Sequence, residues 1–132
     1  MVPGSYTFPK SLHLRSPREF DAVYSNKTRE SRGPLTAYAL PNKLGHPRLG
    51  LSVSRKVGTA VRRNRIRRLL REAFRLIQHD FPRPYDLVLV IRPHEPLQLP
   101  DYQRLLTGAV AKLHQTWERR KAARPAPPPA PT

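Results

Sequence analysis

The chain has 132 residues, and 25 Lys and Arg against 9 Asp and Glu leave it at +16, an excess that resists compaction by self-repulsion and points to a polyanionic partner. It contains no Cys, which excludes disulfides, Cys-ligated zinc, iron–sulfur clusters and thiol catalysis. No apolar run approaches the roughly 20 residues of a membrane span, and the opening MVPGSYTFPK lacks the apolar stretch of a signal peptide, so a cytoplasmic protein with no membrane partner is expected.

Residues 1 to about 11 have no periodicity and are expected to be loose. Ser16-Pro17-Arg18-Glu19 has the form of a capping box with Pro at the first helical position, and Phe20, Val23 and Tyr24 follow at helical spacing, predicting a helix over 17–25. Leu35, Ala37 and Ala39 alternate with Thr36, Tyr38 and Leu40, and Leu49, Leu51 and Val53 with Gly50, Ser52 and Ser54, the pattern of half-buried strands. The linker PNKLGHP between them reads as a turn joining antiparallel neighbours.

A second helix is predicted over 59–78, with Ile66, Leu70, Ala73 and Ile77 on one stripe. The uninterrupted apolar run Leu87–Ile91 within 85–92 reads as a central strand buried on both faces. Asp101 is placed to cap a final helix whose Leu106, Val110, Leu113 and Trp117 repeat at helical spacing, closing with Arg119, Arg120 and Lys121. The ending RPAPPPAPT, residues 124–132, has nothing to bury in a core and reads as a solvated tail. The expectation is one domain over 1–123 with the order helix, two or three strands, helix, strand, helix. Such an α+β sheet has helices on one side and its other face partly open.

Catalytic chemistry is poorly represented. His13, His46, His79, His94 and His114 are scattered without a metal-ligand spacing. The closest acidic pairs, Glu19 with Asp21 and Asp80 with Asp86, do not make the converging cluster a protein-only nuclease needs for its metal ions. Ser52 and Ser54 lack a placed His and Asp. No catalytic residue and no protein metal site are expected.

Cationic chemistry is concentrated. Arg55, Lys56, Arg62, Arg63, Arg65, Arg67, Arg68, Arg71 and Arg75 face the single acid Glu72 within residues 55–75. On a helix, Asn64, Arg67, Arg68, Arg71 and Arg75 fall in a sector of roughly 100 degrees opposite the apolar stripe. Like charges four apart each cost about 0.2–0.5 kcal/mol, so an anion that relieves them is expected. Guanidinium forks suit phosphate better than ammonium groups do. Gly58, just before the helix, allows close backbone approach, although the same residue serves ordinary turns. The chain therefore reads as a nucleic-acid binder. Phe20 and Tyr24, four apart on a helix, and Tyr38, on the strand side shared with Thr36, are by spacing alone either core or a stacking platform.

Residues 50–75, GLSVSRKVGTAVRRNRIRRLLREAFR with its Arg63-Asn64-Arg65 centre, closely resemble the signature of the bacterial ribonuclease P protein subunit, and the order of the surrounding elements fits it. The resemblance implies an α+β fold, a two-layer α/β sandwich with a small mixed sheet of about four strands, three helices and a left-handed βαβ crossover through the basic helix, where the general rule favours the right hand. It implies a protein that binds a catalytic RNA and the 5′ leader of precursor tRNA and assists removal of that leader, with Mg²⁺ held mainly by the RNA and no protein partner required. By position it implies RNA contacts at Arg55, Lys56, Arg63, Asn64, Arg65, Arg67, Arg68, Arg71 and Arg75, and a leader cleft at Phe20, Tyr24, Tyr38, Ser52 and Arg92. Composition alone suits a ribosomal protein or general RNA chaperone equally well. A major-groove DNA reader is disfavoured because Leu69 and Phe74 narrow the exposed face of the helix.

Overall fold

The structure, a computed structural model, describes residues 10–26 and 28–123; the expectations of a loose stretch at 1–9 and a solvated tail at 124–132 lie outside them. Helix α1, Pro17–Ser25, opens as its sequence dictates: Ser16 Oγ accepts the Glu19 N–H at 3.2 Å, and Glu19 Oε1 accepts those of Ser16 and Arg15 at 3.1 and 2.9 Å. Strands β1, Arg29–Arg32, and β2, Leu35–Pro41, form a hairpin turned by Gly33 at φ 54°, a left-handed conformation that favours glycine. Strand β3, Arg48–Val53, leads through a 3-10 turn at Arg55–Val57 into α2, Ala60–Ile77, capped by the Thr59 hydroxyl. Strand β4, Tyr85–Ile91, and helix α3, Leu99–Ala123, complete the fold.

The four strands lie in the order β1-β2-β4-β3, with β4 antiparallel to β2 and parallel to β3. The loop 41–47 therefore does not join neighbours as its turn chemistry suggested. β2 and β3 run in opposite directions, but β4 lies between them. The reason is burial: β4 is apolar on both faces, and six of its seven residues are buried, which only a central position provides.

Helices α2 and α3 cover one face. Ile66, Leu70 and Phe74 of α2 and Tyr102, Leu106 and Leu113 of α3 pack with Leu35, Ala37, Leu49, Leu87 and Leu89 in the main core. Helix α1 lies on the other face over a much smaller cluster of Leu14, Val23 and Val88, with Phe20, Tyr24, Tyr38 and Leu40 at its margin. Fully burying one such side chain contributes about 1.5–3 kcal/mol, so α1 is held by far less apolar contact than α2 or α3.

The expected two or three strands before α2 are three, the additional one being β1, which has no apolar residue to announce it. Two further expectations are corrected. Asp101 is not the cap of α3; it sits in the first turn and accepts the Gln98 N–H at 3.2 Å from inside the helix. Residues 10 and 11 are not loose, since Lys10–Leu12 form a 3-10 turn that buries Leu12. Among the described residues no helix is long and apolar enough to cross a membrane.

Candidate nucleic-acid interface

The apolar stripe of α2 is buried as its spacing predicts, which turns the opposite side outward. Asn64, Arg65 and Arg68 are exposed, and Arg63, Arg67, Arg71 and Arg75 are half-buried. These groups are not equivalent. Arg75 is engaged by Glu72 at 2.6 and 3.1 Å, Arg67 by Asn64 Oδ1 at 3.0 Å, and Arg63 by the Gly58 carbonyl at 3.2 Å. Burial, together with the Arg67 charge, lowers the pKa of Arg71. Arg55 and Lys56 stand exposed on the turn that ends β3. Gly58, at φ 145°, adopts a backbone conformation that favours glycine.

The other candidate surface is the sheet face beside α1. Strand register lines up Arg29, Tyr38, Val88 and Gly50 in one row across the sheet and Ser31, Thr36, Val90 and Ser52 in the next. Residues directly opposite share a face, and the first row is the one α1 packs on. Phe20 lies directly over Gly50, where a Cβ would come within 2.6 Å of its ring, and Val23 packs with Val88. Tyr24 meets Tyr38 edge-on, centroids 4.9 Å apart and planes at 89°, with Phe20 6.5 Å beyond. Burial raises the pKa of Tyr24, with the nearby Ser52 hydroxyl acting in the opposite direction.

The second row lies beside α1 on the uncovered part of this face. Thr36, Val90 and Ser52 are half-buried and Ser31 is exposed, with the Ser31 and Thr36 hydroxyls 3.1 Å apart. Four of the predicted cleft residues, Phe20, Tyr24, Tyr38 and Ser52, thus meet along the α1 side. Arg92 stands apart at the end of β4, exposed and bonded to the Gly33 carbonyl at the hairpin turn. Sequence reasoning missed Gly50, although a glycine inside a strand signals close approach by another group.

A further missed group fixes α1 in place. Arg48, at the start of β3, binds Asp86 on β4 through Nε and NH2 at 2.8 and 2.7 Å, and Glu19 on α1 through NH1 at 2.7 Å. Asn42 adds a third hydrogen bond to Asp86 at 2.8 Å. The carboxylate of the capping box is therefore also the tie between helix and sheet, and the Arg48 pKa is raised chiefly by its hydrogen bond to Asp86.

Several of the remaining acids and histidines are committed elsewhere. Glu30 pairs with Arg32, Glu72 with Arg75 and Asp101 with Arg104. His94 Nε2 and His114 Nδ1 lie 2.7 and 2.9 Å from the hydroxyls of the buried Tyr102 and Tyr85, while His46 bonds the neighbouring Pro47 carbonyl. Among the described residues no three His, Asp or Glu gather as a metal-ligand group.

The family model of ribonuclease P matches residues 8–119. The chain belongs to the ribonuclease P protein family. It is 43% identical over 113 residues to the ribonuclease P protein component of Photorhabdus laumondii, a match spanning 85% of this chain and 89% of that one. The ribonuclease P protein of Staphylococcus aureus superimposes with a TM-score of 0.67 at 28% identity, over 78% of this chain and 95% of the other. That of Thermotoga maritima, solved with 1-(4-fluorophenyl)-2-thiourea, gives 0.66 at 28% identity over 72% and 94%. As a ribonuclease P protein component, the chain is an RNA-binding part of a tRNA-processing endoribonuclease, and the RNase P RNA is its partner. The mixed four-stranded sheet with three helices is the fold of this family.

Proposed function

We propose that the basic side of α2, with Arg55, Lys56, Arg63, Asn64, Arg65, Arg67, Arg68, Arg71 and Arg75, binds the catalytic RNA, and that the groove beside α1 holds the 5′ leader of precursor tRNA. The observation that carries this reading is the open row Ser31, Thr36, Val90 and Ser52 running beside the Tyr24–Tyr38 pair. Its β3 end leads within three residues to the cations of the Arg55–Val57 turn. Single-stranded RNA stacks its bases on rings, at about 1–3 kcal/mol per base with little sequence preference, while cations follow its phosphates. Phe20 flanks Tyr24 on the same helix, Ser52 lies beside it at the β3 end of the open row, and Arg92 stands at the far rim.

In this reading the Mg²⁺ ions belong to the RNA, which also performs the endonucleolytic step that frees the mature 5′ end. The protein, a single RNA-binding domain through residue 123 working in the cytoplasm without a further protein partner, contributes cations and a track for the leader. The protein alone leaves precursor uncut.

The test compares precursor with mature tRNA on the reconstituted ribonucleoprotein. Tyr38→Ala and Phe20→Leu weaken precursor binding and leave mature tRNA and assembly with the RNA unchanged. Equal weakening of both substrates places the leader elsewhere.

A further inference from the structure

The groove has two ends, and the β1 end is chemically distinct from the β3 end. Side chains alternate along β1. Glu30 and Arg32 point to the α3 side, where they pair with each other and the Arg32 guanidinium lies over Gly108, so close that a Cβ there would sit 3.0 Å from its NH1. Arg29 and Ser31 point to the α1 side. Arg29 stands directly across from Tyr38, is exposed, and has no carboxylate within ion-pairing distance among the described residues. Of two arginines on one short strand, one is neutralised against the core and the other is left free beside the aromatic pair.

The floor runs from the single Ser52 hydroxyl at β3 across Val90 to the paired hydroxyls of Thr36 and Ser31 at the β1 edge. Three strand spacings separate the Gly50 and Arg29 ends of the neighbouring row, about 14 Å, and Arg29 is the last of them, one strand beyond Tyr38, so a leader that enters at the β3 end passes the rings before it reaches Arg29. β1 is also the sheet edge, so no further strand closes that end.

We propose that the leader leaves the groove over β1, where Arg29 binds a phosphate and the Ser31–Thr36 hydroxyl pair faces the ribose of a nucleotide beyond those stacked on the rings. The inference rests on the groove being the leader site. It adds a direction, proximal nucleotides at the β3 end beside the basic turn and distal ones at β1, and a residue that reads leader length.

The experiment measures binding of precursors whose leaders are lengthened one nucleotide at a time to ribonucleoprotein carrying Arg29→Gln, Arg29→Lys, Arg32→Gln or Tyr38→Ala. Arg29→Gln is expected to match the parent for short leaders and, beyond a threshold length, to lose on the order of fivefold in affinity, with a log–log salt slope shallower by about 0.7, as for one single-strand phosphate contact. Arg29→Lys retains most of the gain, and Arg32→Gln, which removes the same charge from the opposite face, shows no length threshold. A loss independent of leader length, no loss at any length, or the same threshold in Arg32→Gln overturns the inference. If Tyr38→Ala abolishes leader preference while Arg29→Gln does nothing, only the β1 exit fails. If Tyr38→Ala leaves leader preference intact, the groove itself is not the leader site.

Discussion

Arg48 and Asp86 form a two-point ion pair between the parallel strands β3 and β4, Nε to Oδ1 at 2.8 Å and NH2 to Oδ2 at 2.7 Å, with the Asp86 side chain only 8% exposed. Because the same guanidinium reaches Glu19, the pair joins the sheet to α1 and so sets where Phe20 and Tyr24 stand over the groove.

Removing Arg48 leaves Asp86 buried with only Asn42 as a partner. Arg48→Met is expected to cost about 3 kcal/mol, the scale of breaking a buried pair by removing one member, measured by urea denaturation. Arg48→Met combined with Asp86→Leu recovers much of that loss, since no uncompensated charge remains. A double variant as unstable as the single one would show that geometry at Arg48, not the stranded carboxylate, sets the cost.

Acid should loosen α1 through Glu19. Its carboxyl is held at about 2, below the usual 4.5, first by the Arg15 and Ser16 N–H groups and further by Arg48. A depressed carboxyl favours the folded state when ionised, so its contribution is complete above about pH 4.5 and declines as pH falls towards 2. Glu19→Gln should be less stable than the parent at neutral pH, and the difference should shrink across that window in thermal melts at stepped pH. A constant difference would assign the effect to packing.

Gly50 is the space in which Phe20 rests. Gly50→Ala puts a methyl group 2.6 Å from Phe20 Cζ and 3.2 Å from Leu14 Cβ, so the ring must move away from the sheet. The expected cost is about 1–3 kcal/mol, as for other overpacked sites, together with weaker binding of precursor but not of mature tRNA. Pairing Gly50→Ala with Phe20→Leu should restore stability without restoring leader preference.

Arginines on α2 should differ in what they contribute to RNA binding. Arg68 is exposed without a carboxylate partner among the described residues, whereas Arg75 is already matched by Glu72. Arg68→Ala should reduce the log–log salt slope for RNA binding by about 0.7 to 0.9. Arg75→Ala should reduce it by less, because removing it also frees an acid. Equal slopes for parent and Arg68→Ala would mean that this side chain stays solvated in the complex.

What the amino-acid sequence determined by itself was local. The capping box set the start of α1, the stripe Ile66, Leu70, Ala73 and Ile77 set the buried side of α2 and hence its cationic side, and the apolar run of β4 marked it as central. Each of these follows from the period of one element, which a short window of sequence contains. The motif in 50–75 added the family, and with it the expectation that Phe20, Tyr24 and Tyr38, which spacing alone left readable as core, line a leader cleft.

The tertiary structure decided what depends on neighbours distant in the chain. β1, with the sequence RESR, is a strand only because β2 offers it an edge to pair with. The insertion of β4 between β2 and β3 follows from hydrogen bonding across more than 30 residues, and it is this insertion that aligns Ser31, Thr36, Val90 and Ser52 into one row. Arg48 meets Glu19 and Asp86, 29 and 38 residues away, and no periodicity records such an encounter. Composition and spacing limit which face of each element is buried; which side chains then stand together on the open face is settled by strand order and register.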